Sequence, residues 1–204
     1  MRVIVNFPVI KYHYYFKTVI TQIPLSITGI ASLLDTPEHD IKGDLSPFCS
    51  VVRVPSSMNT QVSIFHTSFR DFILDAERSK AHRANSSKGH QILADKCLEC
   101  LNRCLRRNIC NLVEDVGGSH AHEINDMSVI PESLRYTCMY WSSHLEHALA
   151  HPSADSAQTI GLLSKFADGH LLHWFECLSA MGELESGVGS LTQVQEAVSV
   201  SVPT

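Results

Sequence analysis

Val51-Val52-Arg53-Val54-Pro55-Ser56-Ser57-Met58-Asn59-Thr60-Gln61-Val62-Ser63-Ile64-Phe65-His66-Thr67-Ser68-Phe69-Arg70-Asp71-Phe72-Ile73-Leu74 is the stretch on which the fold turns. Two β-branched runs, 51–54 and 61–64, flank a polar segment at 55–60, and together they read as a β-hairpin. Directly after it, Phe65, Phe69, Phe72 and Ile73 recur at helical spacing. A helix is therefore expected to leave the hairpin.

Outward toward the N-terminus, Pro24-Leu25-Ser26-Ile27-Thr28 opens a short helix, with Thr28 as N-cap and Ile30, Leu33 and Leu34 on one face. Thr36-Pro37-Glu38 then sets an N-cap, an N1 proline and an acidic first turn in order, which predicts a second short helix to about Leu45. Two short helices, a hairpin and a further helix are the order of a winged-helix domain. Residues 3–20 are apolar and aromatic and read as either strand or helix.

Outward toward the C-terminus, residues 77–89 are rich in Ser, Lys, His and Asn and look like a linker. From 90 to 107, Ala94, Cys97, Leu98, Leu101, Cys104 and Leu105 form one apolar stripe. Residues 111–127 are polar, contain Gly117-Gly118 and predict a loop. Helices fit 131–150, 156–168 and 170–182. The expected organisation is mainly α: a small winged-helix-like domain with a β-hairpin over 1–76, a linker at 77–89, an α-helical domain over 90–186, and a tail at 187–204, part of which fits a helix but which is expected to be poorly ordered.

Composition narrows the function classes. Of 204 residues, 44% are hydrophobic and 18% charged, against roughly 25% charged in a typical soluble domain. Sixteen basic residues against 21 acidic ones give a net charge of −5, and the only basic cluster is Arg103, Arg106 and Arg107. The helix at 37–44, which would read DNA in a winged helix, carries Glu38, Asp40 and Asp44 against Lys42. Acid there repels phosphate, so nucleic acid is disfavoured as a partner. Seven cysteines, four of them (Cys97, Cys100, Cys104, Cys110) in one helical stretch, predict reduced thiols and a cytoplasmic location. The N-terminal apolar run lacks a small-residue cleavage site, and no window reaches the ~18 apolar residues of a membrane span.

Candidate chemistry is sparse. Cys97-x-x-Cys100-x-x-x-Cys104 places three thiols on one helical face, but no second Cys-x-x-Cys supplies the other half of a zinc site. His144-x-x-His147-x-x-x-His151 has the same spacing and matches neither zincin pattern. No metal is expected. Gly118-Ser119-His120 lacks the strand and helix of a nucleophile elbow, and both the phosphate loop and Gly-x-Gly-x-x-Gly are absent. The chain is expected to be no enzyme and to hold no cofactor.

A series of motifs carries a resemblance. Pro24-Leu25-Ser26-Ile27 before Leu33-Leu34, then Leu45-Ser46-Pro47, then residues 64–75, 105–112, 130–146 and 171–182 follow, in order, the region after the nucleotidase in fungal NACHT-type STAND proteins. The likeness spans about residues 22–183. It implies a winged-helix and helical segment from a nucleotide-gated switch, lacking the nucleotidase and the C-terminal repeats, and so a fragment or remnant acting through protein contacts. The implied partners are proteins, among them a nucleotidase domain or a second copy, and no membrane. His66 resembles the histidine of the Met-His-Asp motif, which touches the β-phosphate of bound ADP. Here Phe65-His66-Thr67 lacks the acidic residue, so the ADP-phosphate sensor role would require a nucleotidase domain to be supplied. Without one, His66 reads as a capping or core histidine. The other function class left by the sequence is a winged-helix DNA-binding protein.

Overall fold

A computed structural model describes residues 21–80, 85–110, 129–150 and 156–201. The stretch at 3–20, the loop expected at 111–127 and His151 lie outside the described residues. The chain divides into two units, Met1–Gly89 and His90–Thr204. It is mainly helical, with a small two-stranded antiparallel hairpin ahead of a longer helical region.

The first unit runs α1 (Ile27–Leu34), α2 (Glu38–Leu45), a 3-10 turn (Ser46–Phe48), β1 (Val52–Arg53), β2 (Ser63–Ile64), α3 (Thr67–Leu74) and α4 (Ala76–Ser79). The order is the expected one. Ser26, not Thr28, caps α1: its Oγ accepts from Gly29 N–H at 2.9 Å. Thr28 instead donates its hydroxyl to Glu38 Oε1 at 2.6 Å, tying α1 to the start of α2. Pro37 stands at the N-cap of α2 without a side-chain bond, so Thr36 does not cap it. Asp35 ends α1 in the left-handed region, φ 53°, a conformation Asp tolerates better than most residues.

β1 and β2 pair Val52 with Ile64 and Arg53 with Ser63. The hairpin is shorter than the β-branched runs suggest, and its neighbour is Leu25-Ser26, which the sequence marks only as the opening of a helix. Val62 N–H donates to Leu25 C=O at 2.8 Å, and Ser26 bridges Gln61. The entry to α1 thus lies along the hairpin as a third extended segment. Leu25, Ile27, Ile30, Leu33, Ile41, Leu45, Phe48, Val52 and Val62 are buried. Burial of a large aliphatic side chain contributes about 1.5–3 kcal/mol, so this set supplies the unit's main drive to fold.

The second region contains α5 (Ser86–Cys104), α6 (Glu132–Leu149), α7 (Ser156–Gly169), α8 (Leu171–Met181) and α9 (Leu184–Ser201). Two expectations need correction. The linker at 77–89 is helical at both ends, in α4 and the first turn of α5. Asp75 Oδ1 accepts from Glu77 and Arg78 N–H at 2.9 and 3.1 Å, and Asn85 Oδ1 accepts from Lys88 N–H at 3.1 Å; these polar residues are caps rather than loop filler. Of the tail at 187–204, residues 187–201 are helical: α9 extends to Ser201 and packs along α6 with Val194 buried. Its weak amphipathic pattern concealed a helix stabilised by its neighbours.

At the core of this unit Trp141, Phe166 and Trp174 meet edge to face, with centroids 5.0 Å (Trp141 to Phe166), 5.8 Å (Trp141 to Trp174) and 5.9 Å (Phe166 to Trp174) apart. All three are buried. Aromatic pairs in this geometry add about 0.5–1.5 kcal/mol beyond area burial. Gly182 closes α8 with φ 74°, its N–H and that of Glu183 returning to Ser179 and Leu178 C=O at 3.1 and 2.9 Å. This Schellman turn aims α9 back across α8.

Candidate functional site

His66 stands at the junction of β2 and α3. Its backbone is extended, φ −145° and ψ 133°, and its Nδ1 accepts from Ser68 N–H at 3.1 Å, so the imidazole caps α3. The ring is exposed. Beside it Phe65 is 54% exposed, with the Arg53 guanidinium 5.7 Å from its ring centroid. Among the described residues, a separate open groove lies at the start of α2, lined by Thr28, Ser32, Asp35, Thr36 and Glu38. Its carboxylates repel phosphate, and His66 does not line it.

The cysteine triplet lies in α5. Cys97 and Cys100 are buried and Cys104 is partly exposed. Cys100 Sγ donates to Cys104 Sγ at 4.0 Å. That bond and Arg103 draw the Cys104 thiol down to about 6, while the same bond and then burial push Cys100 up; burial alone raises Cys97. The three thiols therefore differ in character: Cys104 is the most readily ionised, and Cys97 behaves as a small apolar side chain.

The histidine triplet is divided as well. His144 is fully buried in α6, with Nδ1 2.9 Å from His90 Nδ1 and Nε2 2.7 Å from the Tyr136 hydroxyl. Both ring nitrogens are used. His147 stacks on His90 with centroids 4.4 Å apart and faces its Nδ1 to Ser143 C=O at 2.7 Å. Burial, then the neighbouring His90 and His147, lower His144 to about 3, so it is neutral at ordinary pH. Among the described residues no group of three His, Cys, Asp or Glu side chains is disposed to hold a metal ion. His170 and His173, which flank Leu171-Leu172, each keep a buried Nδ1 with no hydrogen-bond partner among the described residues.

Two relationships escaped the sequence reading. Tyr136 lies eight residues before His144 on one helical face, a spacing that could have suggested the bond. Cys138 of α6 and Cys177 of α8 bring their sulfurs to 3.8 Å; no local pattern relates them.

The chain is 22% identical over 190 residues to the vegetative incompatibility protein HET-E-1 of Podospora anserina, an alignment covering 84% of this chain and 14% of that protein. No family model matches the chain, and no solved structure matches it. Among the described residues, no helix is long and apolar enough to cross a membrane.

Proposed function

We propose that the chain is a non-catalytic regulatory or protein-interaction module of a NACHT/STAND-type signalling protein. The observation that carries this reading is the alignment with the vegetative incompatibility protein. It covers 84% of the chain, more than either unit supplies alone, so the likeness runs through the hairpin unit and the helical unit in order. The succession α1, α2, hairpin and α3 supports a winged-helix role for the first unit, in which His66 resembles the sensing histidine of such proteins. In the isolated chain His66 is an N-cap. Contact with an ADP phosphate would require a nucleotidase domain to bring the nucleotide. The acidic α2, with Glu38, Asp40 and Asp44, weighs against the DNA-binding reading.

The test is a pair of titrations on the full chain. Calorimetry with ADP should give no binding tighter than micromolar. Titration with a purified NACHT-type nucleotidase domain, alongside sedimentation of the chain alone, should reveal saturable association with that domain or with a second copy. Submicromolar ADP binding by the chain alone, or a strict monomer indifferent to the nucleotidase, would overturn the proposal.

A further inference from the structure

Six of the seven cysteines lie in the second unit, and the pair on α6 and α8 is placed for chemistry that none of the sequence motifs announces. Cys138 Sγ donates to Cys177 Sγ at 3.8 Å across 39 residues of chain. The helices that carry them are fixed against each other at this level: Trp174 Nε1–H, one turn before Cys177, donates to the Cys138 carbonyl at 3.0 Å. Cys138 is thus gripped by its backbone and its side chain from the same helix.

We propose that Cys138 and Cys177 are an oxidisable dithiol, a modification site at which a small peroxide produces a reversible disulfide that clamps α6 to α8. A disulfide needs its sulfurs about 2.05 Å apart, so they must close by about 1.7 Å from 3.8 Å, with the indole bond holding the two helices together at this level. The other close sulfur pair is worse placed. Cys100 and Cys104 sit four residues apart in α5 at 4.0 Å, and the helical rise puts their Cβ atoms about 6 Å apart, beyond the ~4.5 Å a disulfide spans. Joining them would break the last turn, where Leu105 N–H bonds Leu101 C=O at 3.0 Å.

The reaction balances with hydrogen peroxide. The Cys177 thiol gives up its proton, and the thiolate, favoured by the hydrogen bond it accepts from Cys138, attacks one peroxide oxygen. The O–O bond breaks, a sulfenic acid forms, and the departing hydroxide takes up the proton that Cys177 released and leaves as water. The Cys138 sulfur then attacks the sulfenic sulfur, the S–O bond breaks, its proton passes to the departing hydroxide and a second water leaves. The two sulfurs lose two electrons together and the peroxide gains them. Both thiols are buried, so the rate follows local opening of the bundle.

The experiment exposes the full chain to hydrogen peroxide, alkylates the remaining thiols under denaturing conditions, and maps peptides by mass without reduction. The expected product is a peptide pair joining Cys138 to Cys177, lighter by two hydrogen atoms. Closing a loop of this length should raise the melting temperature on the order of 10 °C, reversibly with dithiothreitol. Cys138→Ala should abolish both changes and Cys49→Ala neither. Recovery of Cys138 and Cys177 as alkylated thiols, or a link confined to Cys100 and Cys104, would overturn the proposal; the wild-type map decides even if Cys138→Ala fails to fold.

Discussion

Nδ1 of His90 faces Nδ1 of His144 at 2.9 Å, so two imidazoles on α5 and α6 meet through a single shared proton. With His144 protonated on Nδ1, its Nε2 accepts the Tyr136 hydroxyl proton at 2.7 Å, and one chain of donors and acceptors is satisfied. A second proton, on Nε2, would turn the Tyr136 hydroxyl from donor to acceptor and put a charge on a buried ring that also faces His90 and His147.

The folded protein should therefore weaken in acid. His144 titrates near 6.5 when unfolded and near 3 when folded. Between those values the unfolded chain binds a proton that the folded chain refuses, so stability falls as pH drops below about 6.5 and the loss levels off near 3. From pH 7 to pH 5 the loss attributable to this ring is about 2 kcal/mol. Denaturant midpoints at pH 7, 6 and 5 measure it, and His144→Gln should flatten the profile. An equal slope in wild type and variant would remove His144 as the cause.

Tyr136→Phe removes a hydroxyl and leaves His144 Nε2 buried without that partner. Loss of one member of a buried hydrogen-bonded pair costs about 1–3 kcal/mol. Chemical unfolding at neutral pH should register that decrease with an unchanged denaturant slope. A change below about 0.5 kcal/mol, the scatter of neutral surface substitutions, would contradict the bond.

Two glycines in helices should respond oppositely to alanine. A Cβ on Gly187 would lie 2.5 Å from Leu178 Cδ1 and within 3.5 Å of Trp174 and Phe175, where Leu178 is buried. Overpacking of this kind costs about 1–3 kcal/mol, outweighing the ~1 kcal/mol gained in helix propensity. At Gly161 in α7 a Cβ meets nothing within 4 Å, so Gly161→Ala should stabilise by up to about 1 kcal/mol. Thermal melts of the two variants should bracket wild type.

At the hairpin-to-helix junction, His66→Ala should cost about 0.5–2 kcal/mol through loss of the cap on α3, and His66→Asp should restore it, since Asp is among the preferred N-caps. Local hydrogen exchange at Ser68 reads the cap directly. Equal protection in wild type and His66→Ala would assign the stability of α3 to something other than the imidazole.

Much of the helical order was legible because helices announce themselves over many residues. The stripe through Ala94, Leu98 and Leu101 and the Thr36-Pro37-Glu38 start signal lie close to the helices they predict. The hairpin was legible through its β-branched runs, yet its pairing with Leu25 and Ser26 was hidden, since contacts between separate segments leave no local period. The same reason hid Cys138 with Cys177. The tail differs for another reason: Ser, Val and Gly have modest helix propensity, and packing on α6 and α8 makes α9 a helix. For His66 the position could be read from the sequence, and its present task, accepting from Ser68, was one of the two roles the residue type allowed.

The docking of α9 along α6 also has a consequence in time. Gln193 of α9 hydrogen-bonds Glu146 of α6 across 47 residues of chain, and a segment of low intrinsic helicity has little to hold it before its platform exists. The hypothesis that follows is an order of events in which α9 closes over a bundle already assembled, after the rate-limiting barrier. Substitutions at its contact residues, such as Val194→Ala, should then speed unfolding and leave the folding rate nearly unchanged. A folding arm of the chevron that slows in step with the loss of stability would place α9 in the nucleus instead. On the expected order, the last helix of the described chain governs how long the helical unit stays folded more than how quickly it forms.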